Sequence, residues 1–159
     1  MEQVKRGLLE VTAHAAKKGV VLALENHGGI PRSGEDQVAL IKAVNSPYLR
    51  ATVDVGNYMS GGQEGAEGTR IAAKHCAYVH FKDFIKVPSK ENPWGWDVRS
   101  CTVGVGAVDH AACLKRLKAA GYKGWIALEY EGLGEERVGV FESLAFTKKV
   151  LAQVSAKPK

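Results

Sequence analysis

With 159 residues, 45% of them hydrophobic, the chain has material for one core of ordinary size and not for a second independent domain. Three cysteines without a CxxC pair (Cys76, Cys101, Cys113), no signal-peptide pattern and no apolar run near the roughly 20 residues that span a bilayer argue against a disulfide scaffold, a zinc finger or a membrane partner, and lead to the expectation of a cytoplasmic protein. The net charge of +5 comes from Lys and Arg scattered along the chain, apart from Lys157-Pro158-Lys159, which argues against a nucleic-acid partner and suits an anionic small substrate.

Val4, Leu8, Val11 and Ala15 recur at helical spacing over residues 2–18, with Gly19 as the stop, so the chain opens with an amphipathic helix. A strand follows at 20–24 and ends in Glu25-Asn26-His27-Gly28-Gly29. Ser33-Gly34-Glu35-Asp36 resembles a capping box and starts a helix ending near Asn45-Ser46-Pro47. A second strand, Ala51-Thr52-Val53-Asp54, leads into a glycine-rich loop over 58–65 and a short helix over 66–75. The third strand, 77–82, is followed by a connection of about 25 residues with Pro88, Pro93, Trp94, Trp96 and Val103-Gly104-Val105-Gly106, read as a binding loop or lid. Asp109 caps a helix closed by Gly121, Trp125-Ile126-Ala127-Leu128 is a fourth strand, and a last helix carries Val140, Leu144, Val150 and Leu151.

Strands that alternate with helices imply an α/β parallel sheet with right-handed crossovers, whose sites lie at the C-terminal ends of the strands. Glu25, Asp54, His80 and Glu129 occupy that position on four successive strands. Three carboxylates and an imidazole suit a divalent cation, Mn²⁺ or Mg²⁺ first and Zn²⁺ or Co²⁺ next. Each residue taken singly also fits a strand-end cap or ion pair. Alternation along a strand puts Lys82 on the face of His80 and Glu131 on that of Glu129. His27, Asn57, Lys82 and Lys86 are candidate substrate contacts, though His27 equally suits loop support and Asn57 a turn. Trp94 and Trp96 fit a stacking wall, an apolar lid or buried anchors. The Gly104-Val105-Gly106 loop lacks the preceding strand of a dinucleotide fold and reads as a loop closing over a substrate.

Five stretches, Leu24-Glu25-Asn26-His27-Gly28-Gly29, Val53-Asp54-Val55-Gly56-Asn57, Val79-His80-Phe81-Lys82-Asp83, Gly104-Val105-Gly106 and Leu128-Glu129-Tyr130-Glu131-Gly132, resemble in order the C-terminal half of the xylose isomerase-like TIM-barrel superfamily. The resemblance implies a half-barrel (βα)4 domain over 1–154 with about five helices and a basic tail over 155–159. It implies a divalent metal held by Glu25, Asp54, His80 and Glu129, with Glu25 and Glu129 as the acid/base pair that moves a proton α to a carbonyl through an enediolate. The substrate class would be a small sugar or sugar phosphate. Epimerases of the family carry a histidine where this chain has Asn57 and an arginine where it has Lys86, so their specificity does not transfer. A full barrel takes about 250 residues. The expectation is therefore a homodimer, or a partner supplying the missing half. The rival is a truncated half-barrel that binds metal or ligand with little activity of its own. The abasic-site endonuclease branch needs a DxxH and a DxH that Asp54-Val55-Gly56-Asn57 and Asp109-His110 do not provide.

Overall fold

Short β-forming runs separated by amphipathic helical segments bury their apolar residues best as parallel strands with helices packed on one face. The computed structural model describes residues 1–156, so 157–159 of the expected tail lie outside the described residues. The elements are α1 (Glu2–Lys17), β1 (Leu22–Glu25), α2 (Gly34–Val44), β2 (Leu49–Asp54), α3 (Gly65–Ala72), β3 (Cys76–Phe81), β4 (Phe84–Pro88), β5 (Trp96–Ser100), α4 (His110–Ala119), β6 (Ile126–Leu128) and α5 (Glu136–Ser155). Four strands form one sheet in the order β1-β2-β3-β6, every neighbouring pair parallel. This is the α/β half-barrel.

Local chemistry sets the helix ends. Ser33 Oγ accepts from Asp36 N–H at 3.1 Å, and Asp109 Oδ1 from Ala112 N–H at 2.8 Å, so α2 and α4 each begin on a side-chain cap. Asn45 closes α2 in the left-handed region at φ 51°. One face of the sheet, with Leu49, Ala51, Val53, Val79 and Phe81, is buried with Leu40, Ile41, Ala72, Leu114 and Leu117 of α2, α3 and α4. The buried Gln37 ties α2 to the sheet, because its Nε2 donates to Leu24 O at 2.7 Å and Thr52 O at 2.8 Å while its Oε1 accepts from Tyr58 Oη at 2.7 Å. Among the described residues, no helix packs on the opposite, concave face. Tyr78 is 36% exposed there, Val21 49% and Trp125 81%.

The first strand begins at Leu22 rather than at residue 20, and a 3-10 turn over Asn57–Gly61 replaces part of the expected glycine loop. The long connection after β3 holds an antiparallel hairpin, β4 with β5, in the register Phe84↔Ser100, Lys86↔Val98 and Pro88↔Trp96. Its alternation of Phe84 and Val98 against exposed Ile85 and Arg99 is present in the sequence. Pro88, which argues against a central strand, costs little in a two-stranded ribbon where both strands are edges.

His110 is 1% exposed with Nε2 at 3.2 Å from the Lys82 carbonyl oxygen and Nδ1 at 4.0 Å from Asp83 Oδ2. Burial holds its pKa below the usual histidine value, although Asp83 pulls the other way. The unfolded chain therefore takes up a proton at His110 before the folded chain does. The contribution of His110 is complete above about pH 6.5 and is lost as pH falls below that value. Urea unfolding at pH 7.5 and 5.5 should show a smaller acid-induced loss in His110→Phe than in the wild-type chain. Equal losses would contradict this assignment.

Candidate metal centre

Because β1, β2, β3 and β6 run in parallel, their C-terminal residues reach one edge of the sheet together. The register sets Asp54 beside His80, and β1 and β6 flank that pair. One ligand atom from each of Glu25, Asp54, His80 and Glu129 lies within 4.8 Å of the others. His80 Nδ1 is 3.1 Å from Glu25 Oε1, 3.6 Å from Glu129 Oε2 and 3.9 Å from Asp54 Oδ2. Asp54 is fully buried. Its Oδ1 accepts from the N–H groups of Gly56 at 2.8 Å and Asn57 at 2.9 Å, whereas Oδ2 has no hydrogen-bond donor among the described residues and faces the cluster. A buried carboxylate oxygen without a donor is costly unless a cation completes it. Hard oxygen donors with one imidazole fit a divalent cation.

Lys82 is 1% exposed, with Nζ 2.8 Å from Glu129 Oε2, 3.1 Å from Glu131 Oε2 and 3.8 Å from Asp54 Oδ2. Asn57 Nδ2 reaches Glu25 Oε1 at 3.5 Å. His27 lies in the exposed stretch beyond β1. Lys86, by contrast, is engaged on the hairpin, paired with Glu64 and 4.1 Å above the Trp96 ring. That contact gives Trp96 a role as a platform for a lysine.

Burial pushes the Asp54 carboxyl up to about 7, against the opposing backbone N–H of Asn57 and the charge of Lys82. Burial also works to raise Glu129, but hydrogen bonds from Lys82 and from the carboxyl of Asp54 hold it below the usual carboxylate range. The two carboxyls titrate as a pair, Asp54 shifted up and Glu129 down. His80 is raised, first by its hydrogen bond to Glu25. Without a cation, the cluster balances its carboxylates with protons and Lys82.

Two further roles escape sequence reasoning. Asn26, 1% exposed, extends the β1–β2 ladder with its side chain, donating from Nδ2 to Asp54 O at 2.9 Å and accepting at Oδ1 from Asp54 N–H at 3.0 Å. The only signal was its place beside Glu25. Asn26→Ala leaves two buried backbone groups unpaired at roughly 1–2 kcal/mol each, so a loss of about 2–4 kcal/mol is expected on thermal unfolding. A loss below 1 kcal/mol would show that water replaces the amide.

The second is Asp83. Its carboxylate accepts from the N–H groups of Phe84 and Val108 at Oδ1 and of Gly104 and Gly106 at Oδ2, at 2.8–3.1 Å. The glycine loop expected to close over a substrate instead spends these amides on a side chain. Gly106 is required there, since a Cβ would lie 2.2 Å from Asp83 Oδ1.

A parallel (βα) sheet with a polar cluster at the C-terminal ends of its strands is half of a TIM barrel with its candidate site in the usual place. The chain belongs to the xylose isomerase-like TIM barrel family, whose family model matches residues 1–150. A comparison with curated proteins returned no match. Among solved structures, the chain is similar to a xylose isomerase domain protein from Planctomyces limnophilus at 24% identity and TM-score 0.81, covering 97% of this chain and 53% of that one. It is also similar to a xylose isomerase-like TIM barrel protein from Mycobacterium smegmatis in complex with magnesium, at 20% identity and TM-score 0.76, covering 98% and 51%. A D-allulose 3-epimerase from Methylomonas sp. in complex with D-allulose matches at 20% identity and TM-score 0.69, covering 91% and 53%. The chain thus spans about half the length of these proteins, and the likeness is one of fold.

Proposed function

We propose that this chain carries the metal-binding and proton-transferring half of a sugar isomerase or epimerase. The observation behind the reading is the convergence of Glu25, Asp54, His80 and Glu129 around the donorless Asp54 Oδ2. A bound divalent cation would polarise a substrate carbonyl and lower the acidity barrier at the adjacent carbon. Glu25 and Glu129 stand on β1 and at the end of β6, the two edges of the sheet, so their carboxylates approach a substrate from opposite sides. One removes the α-proton and the other returns one. Lys82 holds Glu129 ionised and ready to accept a proton. Asn57, at 3.5 Å from Glu25, and exposed His27 are assigned to substrate hydroxyls. The magnesium-bound neighbour and the epimerase neighbour support this class.

Deuterium uptake at the α-carbon of a panel of ketoses in D₂O, followed by mass spectrometry, tests the reading. Exchange is expected only with added Mn²⁺ or Mg²⁺, and Glu25→Gln and Glu129→Gln should each lower it about 10²–10⁴-fold. No exchange by the metal-loaded chain on any ketose would refute it.

The bare concave face supports a second element of the reading, that the working form contains two halves. Val21, Tyr78 and Trp125 are exposed across it, and β1 and β6 are unpaired edges. Parallel edges and exposed apolar surface favour association. A second copy closing on this face is the expected partner. Light scattering should report twice 17.1 kDa at micromolar concentration, and a monodisperse 17.1 kDa species would overturn the dimer.

A further inference from the structure

The basic residues that look scattered in sequence gather at the end of the sheet away from the carboxylate cluster. Three adjoining hollows lie among the N-terminal ends of β2 and β3, the C-terminal ends of α2, α3 and α4, and the turn before β6. The first shares Arg50 with the second, and the second shares Ala73, Lys74 and Ala120 with the third. Their walls carry Lys42, Arg50, Arg70, Lys74, Arg116 and Lys123, and among the described residues no carboxylate lines any of the three. Arg50 is fixed in the middle by its Nη2 donating to Lys74 O at 3.1 Å.

Helix dipoles account for part of this charge. The C-terminal ends of α2, α3 and α4 each attract cations with roughly half a negative charge, together about −1.5. Arg70 is also answered by Glu67 at 2.6 Å. Five cations against about −1.5 leave a floor with a surplus above +3. His75, beside Arg50 and Lys42 in the first hollow, reports that field, since burial and then those two cations hold its pKa below the usual value.

We infer that this floor binds an inorganic polyphosphate chain, a string of phosphate groups without bases, independently of the metal centre at the other end. Several separated cations on an open surface suit successive phosphates better than one compact anion. Among the described residues that line the hollows, the one tyrosine, Tyr122, is half-buried with its hydroxyl donating to Trp125 O at 2.6 Å, so no row of open rings is offered to bases and recognition is of the phosphates.

The test is fluorescence anisotropy with the full chain and a labelled 20-nucleotide oligo-dT, competed with polyphosphate of similar length and with polyglutamate. Binding at 50 mM NaCl is expected, with log affinity falling against log salt by about 0.7 per phosphate engaged. The exposed triple variant Lys74→Gln, Arg116→Gln, Lys123→Gln should weaken binding at least tenfold and flatten that slope by about 2. The control triple Lys5→Gln, Lys17→Gln, Lys18→Gln on α1 and its end, which removes the same charge, should change it less than twofold. Stronger competition by polyphosphate than by unlabelled oligo-dT is expected, and the reverse would assign the floor to nucleic acid and overturn the proposal. Equal weakening by the two triples, polyglutamate competing as well as the phosphate chains, or no binding at 50 mM would overturn it. Urea unfolding of both triples checks that folding is intact.

Discussion

Replacing His80 with alanine or Asp54 with asparagine is expected to abolish stoichiometric binding of Mn²⁺ or Mg²⁺. Disturbing even the outer partners of a metal site typically costs 10–100-fold in affinity, so loss of a ligand itself should exceed about 100-fold. Asp54→Asn is the sharper of the two. An asparagine oxygen can still accept from the N–H groups of Gly56 and Asn57, so the turn after β2 keeps its local bonds. What disappears is the carboxylate oxygen that faces the cluster without a donor. Burial lifts the pKa of Asp54 to about 7, above its unfolded value near 3.8, so the native state binds the extra proton between those limits. Metal-free stability therefore falls as pH rises through that window, and Asp54→Asn should be no less stable than the wild-type chain at pH 8. Metal at 100 times its dissociation constant should stabilise the wild-type chain by about 2.7 kcal/mol and the variant not at all. Elemental analysis and melting curves with and without Mn²⁺ measure both effects. Equal metal content in wild type and both variants would remove the catalytic reading together with the site.

The half-barrel architecture was legible because its signals are local. Apolar runs ending in charge mark buried strands and their exits, and helix caps such as Ser33 and Asp109 sit beside the helices they start. The four clustered residues share one position relative to their strands, and parallel register carries that into space. Lys82 followed from alternation with His80. The hairpin was hidden by Pro88 and Pro93, which read as loop residues wherever the strand is not known to be an edge. Lys86, by count a substrate contact, was drawn away by Glu64 and Trp96, partners that only the hairpin brings near. The basic floor was invisible for the same reason, since Lys42, Lys74 and Lys123 meet only after three crossovers. Asn26 and Asp83 lay in plain view within the matching stretches. Their work is done on backbone groups up to 28 residues away, which no spacing rule exposes.

Asp83 carries the largest stability effect expected of any single residue. Its 1% exposed carboxylate is the acceptor for four backbone N–H groups that join the start of β4 to the loop before α4. Charge-assisted bonds of this kind exceed neutral ones, and removing the acceptor strands donors that water reaches poorly. Asp83→Ala should cost about 3–5 kcal/mol, the range for breaking a buried charged network. Asp83→Asn should not rescue it, because an amide turns its own N–H groups towards donors. The consequence reaches the candidate site, since Asp83 is bonded to Lys82, which lies against Glu129. Gly106→Ala supplies the internal check. Its Cβ would fall 2.2 Å from Asp83 Oδ1 and 2.5 Å from Phe84 O, so it breaks the same arrangement from the other side. Two substitutions that destroy one network do not add, so the double variant should lose markedly less than the sum of the singles. Urea unfolding of the four chains measures the cycle. Additive losses, or a cost below 1 kcal/mol for Asp83→Ala, would mean that the hairpin and glycine loop are held by their packing alone.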